Sequence, residues 1–261
     1  MTVRLVERIG GPVLGWVVFA VAVGIWEALA RSDGSFLVPT ASAVAERAWH
    51  VWPTPEFMSD VGSSMRRFAA GYAIGASVGV AVGVSMGSSR RIRQALEPLV
   101  ELLRATPAIA LAPALIVILG VGDRMLIAVI AFGVVFPVLV NSMDGVRAAS
   151  PELRETALLL RLGRAARTLR VDVPAALPSI FAGLRVAVSI GLVMVVVSEF
   201  VGGGDGIGHY IRVEQSQFRI PELYAGILFI GLLGFVLNGV FVLIERRALF
   251  WHHEAMGHGE R

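Results

Sequence analysis

Few side chains in this sequence combine a reactive type with an unusual position, and Glu199 is the clearest of them. Together with Ser198 it lies near the end of the long apolar run that starts at Val186. An ionisable side chain inside an apolar span is a functional candidate, because its burial in lipid costs free energy. The alternative is that Glu199 lies close enough to the boundary to reach headgroups or to cap a neighbouring helix. We therefore treat Ser198 and Glu199 as candidates for lining a polar pathway through the spans.

Composition excludes several familiar chemistries. The chain has no cysteine, which excludes disulfides and thiolate metal sites. It also has no lysine, since all 23 basic residues are arginine, so it has neither a P-loop nor a Schiff-base lysine. The glycine-rich run 202–208 lacks the strand and helix context of a dinucleotide loop, and His253-Glu254 with His258 lacks the H-E-x-x-H spacing. We expect a flexible external turn at the first, a mobile tail at the second, and no metal or cofactor in this chain.

Hydropathy places the chain among membrane proteins. Of its 261 residues 56% are hydrophobic and 16% are charged, with a mean hydropathy of +0.73. Runs of about 20 apolar residues are long enough to cross a bilayer as helices. The first run could be a signal peptide, but it is longer than the usual apolar core of one. We predict an all-α polytopic protein, a single domain over residues 1–261, with six spans at 12–29, 68–87, 96–120, 126–143, 186–202 and 224–243.

Arginines set the predicted orientation. The sequence pI of about 10.1 could indicate nucleic-acid binding, but the arginines cluster in loops between apolar runs. Six spans put both termini on one side, and that side, with the loop 144–180, holds more arginine than the other. The positive-inside rule therefore places both termini and this loop in the cytoplasm. We expect a multi-pass protein of the bacterial inner membrane that contacts lipid and binds no nucleic acid.

The second predicted span carries glycine at every fourth residue. In lipid, a face of small residues lets a neighbouring helix approach closely. Packing is the favoured interpretation of this pattern, and lining of a substrate path is the alternative. The glycines are Gly71, Gly75, Gly79, Gly83 and Gly87.

Prolines interrupt the third predicted span. Pro107 and Pro113 should break the helical hydrogen-bond ladder. Broken helices are tolerated in membranes where the freed backbone groups are buried in protein or face a watery cavity. Pro107, and the polar Asn141 of the fourth span, are therefore further candidates for lining the pathway.

The loop 144–180 is the largest polar segment of the chain. Within it, Ser150-Pro151-Glu152 has the hydroxyl, proline and acid that begin many helices. We predict a short helix from this point that stops at Gly163. A folded loop that only joins two spans is the alternative.

The same loop resembles the EAA motif of bacterial ABC importer permeases. Glu155-Thr156-Ala157 is followed by Val171-x-Val173-Pro174, and the distance from Glu155 to Pro174 matches the motif. The resemblance implies a coupling helix that docks on a separate ATPase, with contact residues Glu155, Ala157, Arg161, Gly163 and Pro174. Arg161 stands where the motif has glycine, so we expect the turn to be displaced toward Gly163 or bent differently, because arginine lacks glycine's access to positive φ.

Leu37-Val38-Pro39-Thr40 is similar to the segment after the first span in the nitrate, sulfonate and taurine branch of that family, and Phe136-Pro137, Asn141 and Gly145-Val146-Arg147 resemble the family's approach to the EAA motif. The resemblance implies a homodimer of permeases, two ATP-binding subunits that hold ATP and magnesium, and an extracytoplasmic solute-binding protein. A sulfonate, taurine or nitrate would then move inward by alternating access. A thiamine-precursor permease, an ion-coupled secondary transporter and a membrane-embedded enzyme are the alternatives.

Overall fold

The computed structural model describes residues 2–250, including side chains from Leu14 onward except those of Arg154 and Leu158. The C-terminal stretch predicted to be a mobile tail lies outside the described residues. Every regular element between residues 2 and 250 is helical, and no strand occurs in that part of the chain. The predicted all-α fold class is confirmed.

Eleven α-helices follow one another within residues 2–250, with a 3₁₀ turn at Ala108–Leu111 and a π-helical turn at Thr168–Asp172. They are α1 Thr2–Asp33, α2 Ala41–Val51, α3 Pro55–Ser88, α4 Arg90–Ala105, α5 Ala112–Leu119, α6 Asp123–Arg147, α7 Pro151–Leu159, α8 Arg164–Arg167, α9 Val173–Gly202, α10 Ile207–Ser216 and α11 Ile220–Ala248.

Five described segments are long and apolar enough to cross a membrane. A sixth is present if α4 and the following 3₁₀ turn with α5 are one broken span, bent by 90°. The bend lies at Pro107, and Pro113 falls in the first turn of α5, where proline is tolerated. The third predicted span is therefore two short helices at right angles. The five continuous segments are Leu14–Asp33, Pro55–Ser88, Asp123–Arg147, Arg164–Gly202 and Ile220–Ala248.

The described chain divides into two compact units. The first holds the chain up to Met58 together with Tyr210–Ile230. Its centre is aromatic, because the buried Phe57 ring lies edge-on to Tyr210 and Phe229 at centroid distances of 5.1 and 5.0 Å. The indole Nε1 of Trp52 donates a hydrogen bond of 3.2 Å to the carbonyl oxygen of Ala225.

The second unit holds Ser59–His209 and the chain from Gly231 onward. Its core is built on α6, whose Val129, Ile130, Val134 and Val138 are fully buried. The glycine stripe of α3 lies directly against this helix. A Cβ atom at Gly75 would lie 2.6 Å from the carbonyl oxygen of Ala131, so no larger residue fits without moving the helix.

Small residues also join α6 to α9 in the second unit. Gly183 lies against Pro137 and Asn141, and Gly145 lies against Ser179, at distances that leave no room for a Cβ atom. Helices that pack this closely gain dispersion contacts along their backbones, which is how spans associate in lipid. The resulting α3–α6–α9 group positions the segments that follow α6 and α9.

Candidate functional site

The polar segment after α6 forms an elbow, which we define as residues 148–172. It contains α7, which begins as the sequence predicted: Pro151 is its first residue, and the Ser150 hydroxyl accepts a 3.3 Å hydrogen bond from the backbone amide of Leu153. Glu152 adds a negative charge at the positive end of the helix. Its pKa is lowered because its carboxylate accepts hydrogen bonds from its own backbone amide and from the Ser150 hydroxyl.

The elbow turns at Arg161, whose φ of 53° lies in the left-handed region. The amide of Leu162 donates a 3.1 Å hydrogen bond to the carbonyl oxygen of Ala157, which closes α7 as a Schellman motif. Glycine usually occupies this conformation. The expectation that the turn moves to Gly163 is wrong, because Gly163 has a φ of −63° and instead precedes α8. Arg161 thus adopts a backbone conformation that glycine usually supplies.

The elbow offers a partly apolar surface. Leu159 and Leu160 have 84% and 67% of their area exposed, and Glu155 is exposed beside them. Isolated exposed leucines are common, but neighbouring ones on one short helix and its turn are typical of contact surfaces. Ala157 is only 2% exposed, so it packs inside its own chain and presents no surface to a partner.

One buried ion pair braces the end of the elbow, where the chain passes into α9. Asp172, at the end of the π-helical turn, is 1% exposed, and its Oδ2 lies 3.4 Å from Nε of Arg167. Pro174 follows in the first turn of α9, where proline needs no amide partner. The elbow is therefore continuous with α9, and a force on its surface acts on that helix.

The other end of the second unit holds a buried polar network centred on Arg67. This residue is 2% exposed, and its guanidinium contacts three acids. Nε donates to Asp123 Oδ1 and Nη1 donates to Glu199 Oε1, each at 2.8 Å. Nη2 donates to Asp205 Oδ1, and Nη1 also donates to the Asp205 carbonyl oxygen at 2.9 Å. Four helices or their flanking turns meet at this one side chain.

Glu199 is fully satisfied within this network. Its carboxylate accepts hydrogen bonds from the Ser64 hydroxyl at 2.8 and 2.9 Å, and from the amide of Gly208 at 3.0 Å. Ser64 in turn accepts from the amide of Ile207 at 2.9 Å. Gly206 has a φ of 104° and lies so close to the carboxylate that a side chain there would overlap it. Glycine is required at this position for both reasons.

Asp205 lies in the turn between α9 and α10, beyond the end of the membrane-spanning helix that carries Glu199. Its pKa is lowered by a hydrogen bond from the Ser63 side chain and by the hydrogen bond and charge of Arg67. Asp60 accepts a 2.7 Å hydrogen bond from the amide of Gly206. We predicted a flexible turn at the glycine-rich run 202–208. In the structure this turn is instead held by specific hydrogen bonds to Arg67, Asp60 and Glu199.

The candidate pathway residues occupy different environments. Ser198 and Glu199 are 0% exposed, so they present no surface to a pathway in this conformation. Asn141 is half-buried between helices, and its side-chain amide donates a 2.8 Å hydrogen bond to the carbonyl oxygen of Pro137, one turn earlier on the same helix. Pro107 is exposed at the bend between α4 and the 3₁₀ turn. The structure does not bring these four residues together.

Sequence reasoning found Glu199 but missed its partners. Arg67 is not among the candidates that the sequence suggests, and the chain separates it from Glu199 by 132 positions. One usable signal was present, since Arg67 lies four residues before Gly71 at the start of the glycine stripe, which places it on the face turned toward α6. Among the described residues no group of acidic and histidine side chains could hold a metal ion.

Comparison with known proteins identifies the family to which this chain belongs. Residues 73–249 match the family described as "Binding-protein-dependent transport system inner membrane component". The chain is 31% identical to the riboflavin transport system permease RibX of Chloroflexus aurantiacus over 252 residues, which is 95% of this chain and 94% of that one. It is 28% identical to the nitrate import permease NrtB of Leptolyngbya laminosa, covering 89% and 86% of the two chains.

A Bacillus subtilis protein named for aliphatic sulfonates transport, SsuC, is 28% identical over 245 residues, with 93% of this chain and 89% of that protein covered. A solved structure titled as an amino acid ABC transporter with histidines has a TM-score of 0.58 and 22% identity, covering 76% of this chain and 96% of the other. That likeness supports the helical fold. Because the family match spans more than half of the sequence, this chain belongs to the inner membrane components of binding-protein-dependent transport systems.

Proposed function

We propose that this chain is the membrane-spanning half of an ATP-driven importer, and that two copies form one pathway. The family match carries this proposal. ATP and magnesium bind to two separate ATPase subunits, because this chain has no lysine from which to build a P-loop. An extracytoplasmic binding protein delivers the solute. The permease itself performs no catalysis and holds no cofactor.

The elbow is the proposed contact with the ATPase. Glu155, Leu159 and Leu160 supply an exposed charged and apolar surface on a short helix. Arg161 and Gly163 shape the turn behind it, Ala157 packs beneath it, and Pro174 lies in the first turn of α9. When the ATPases close on ATP, the elbow moves with them and α9 reorients, which gives alternating access by rigid-body motion.

The proposed solute is a small oxyanion such as a sulfonate, taurine or nitrate. Support comes from the names of SsuC and NrtB, each 28% identical to this chain. A vitamin-like heterocycle is the second candidate, because RibX is 31% identical over nearly the whole chain. Thiamine precursors belong to the same chemical class. Binding of each radiolabelled solute to the partner binding protein separates the two candidates.

The test of the proposed function is uptake by the assembled transporter in proteoliposomes. Glu155→Ala should lower ATP-dependent uptake roughly tenfold, as expected when a contact of about 1.4 kcal/mol is lost. Glu97→Ala is the matched control, since Glu97 is also an exposed helical glutamate but lies on α4. Both variants should insert into the membrane at normal abundance. On size-exclusion chromatography both should elute as the same complex, which contains two permease chains.

Two outcomes would count against the proposal. Normal uptake by Glu155→Ala would show that this surface of the elbow is not the coupling contact. Uptake that continues without ATP but stops with an uncoupler would identify an ion-coupled transporter instead.

A further inference from the structure

A basic pocket lies at the base of the elbow, lined by elbow residues 164–169 but by neither the exposed leucines of α7 and its turn nor the Arg67 network. It has a volume of about 660 Å³ and opens where α3 ends, α4 begins and α8 passes into the π-helical turn. We call it the arginine pocket, after the four arginines that line it: Arg90, Arg91, Arg164 and Arg167. No acidic residue is among the lining residues.

The charge of this pocket is largely uncompensated. Arg167 pairs with Asp172 at 3.4 Å. The side chains of Arg90, Arg91 and Arg164 form no ion pair with any side chain that the structure describes. Cations held around one concave surface repel each other, and an anion in the pocket relieves this repulsion. The pocket therefore favours a ligand of high negative charge.

Hydrogen-bond donors in the pocket point to a phosphate-like group. The Ser88 hydroxyl is buried from solvent, lines the pocket and has no hydrogen-bond partner among the described residues. The first turn of α4, a helix of 16 residues, adds backbone amides and the positive end of its dipole. Arginine forks together with a hydroxyl and helix amides are the donors that bind tetrahedral oxyanions.

The rest of the lining is apolar and lies at the end of a span. Val84, Ile92 and Leu169 complete the wall, beside the four arginines. α3 reaches Ser88 from an apolar run that crosses the bilayer, so the pocket lies at headgroup depth. Free phosphate would leave this apolar wall unused, whereas a glycerol and acyl chain would cover it. Basic pockets between spans on the cytoplasmic side are suited to anionic lipid headgroups.

We propose that the arginine pocket binds the phosphate headgroup of one anionic phospholipid. The lipid would join the start of α4 to α8, which is part of the elbow. Its binding would hold the base of the elbow against the end of α3, and would make the placement of the elbow depend on the lipid composition of the membrane.

The test is titration of the purified full-length chain in neutral detergent, with the shift in thermal unfolding temperature as the readout. The probes are phosphatidylglycerol, phosphatidylcholine and inorganic phosphate. Phosphatidylglycerol should raise the unfolding temperature and the other two should not. The triple variant Arg90→Gln, Arg91→Gln and Arg164→Gln should bind phosphatidylglycerol roughly a hundredfold more weakly, from about fivefold per arginine.

The control is the triple variant Arg93→Gln, Arg246→Gln and Arg247→Gln, which removes the same charge outside the pocket lining. It should bind phosphatidylglycerol like the parent, because a single solubilised lipid carries no extended charged surface. Photoactivatable phosphatidylglycerol on the parent chain should label residues 84–92 and 164–169, and this measurement does not depend on any variant folding. Equal weakening in both triple variants, or labelling confined to other segments, would overturn the proposal. Stabilisation by inorganic phosphate equal to that by the lipid would assign the pocket to free phosphate.

Discussion

At the scale of single residues, Arg161 stores strain that glycine would release. A non-glycine residue in the left-handed region costs about 1 kcal/mol or more, and Arg161 has a φ of 53°. We expect Arg161→Gly to raise the free energy of unfolding by about 0.5–1 kcal/mol, less than the full strain because glycine also gains freedom in the unfolded chain. Thermal unfolding of the purified chain measures this change.

Arg161→Ala is the control, because it removes the same charge but keeps the Cβ atom that causes the strain. It should show no gain in stability. If alanine stabilised the chain as much as glycine, the effect would come from the lost charge and the assigned strain would be wrong.

The Arg67 network should behave as a coupled unit. Arg67→Met leaves Glu199 as an unpaired buried charge, so we expect a loss of about 3–5 kcal/mol in the free energy of unfolding. In Arg67→Met/Glu199→Gln both charges are absent, and the loss should be smaller than the sum of the two single losses by at least about 1 kcal/mol. Unfolding in mixed micelles, measured for all three variants, gives this coupling energy.

The neighbouring arginine supplies the control for that cycle. Arg66 pairs with Asp123 at 2.8 Å, but its side chain is 65% exposed. Arg66→Met should therefore cost less than about 1 kcal/mol, as exposed ion pairs do. Strict additivity in the Arg67 and Glu199 cycle, with a coupling energy near zero, would contradict the central role given to this pair.

At the scale of helices, the glycine stripe decides how closely α3 approaches α6. A Cβ atom at Gly79 would lie 2.7 Å from the carbonyl oxygen of Val135. Gly79→Ala should therefore force the helices apart and lower the free energy of unfolding by about 1–3 kcal/mol. Gly62→Ala on the same helix has open space around its Cβ atom and should gain up to about 1 kcal/mol from helix propensity. Comparable losses in both variants, measured by thermal unfolding, would show that the stripe is not a packing surface.

The helices were more predictable than the contacts between them. The period of four from Gly71 to Gly87 is a property of one helix, so the sequence alone displays it. The start of α7 was equally local, because Ser150 caps a helix that begins at the next residue. The contact between Arg67 and Glu199 forms only when α3, α6 and α9 pack together. The local sequence around either residue therefore gives no sign of the other. The turn at Arg161 escaped prediction because the flanking helices impose its φ against the preference of the side chain.

At the scale of the whole molecule, this ABC permease places its two polar regions at the ends of the same helices. α6 starts at Asp123 in the Arg67 network and ends at Arg147, just before the elbow. Its 25 residues extend over about 37 Å, which exceeds the hydrocarbon thickness of a bilayer. The network and the elbow therefore lie on opposite membrane faces, joined by α6 and α9. The Arg67 network ties the helix ends on one face together, so a movement of the elbow on the other would turn these helices as a group.

This arrangement gives a sharp prediction of topology, because the parent chain contains no cysteine and each introduced one is unique. Leu159 on the elbow is 84% exposed, and Gly204 between α9 and α10 is exposed with no atom within 4 Å of its Cβ position. A membrane-impermeant maleimide should label Gly204→Cys in intact spheroplasts and Leu159→Cys only in inside-out vesicles, with both labelled after detergent treatment. The positive-inside bias of the arginine-rich elbow is the physical reason. Labelling of Leu159→Cys from outside would put the elbow beyond the reach of any cytoplasmic ATPase, and the coupling mechanism would fail with it.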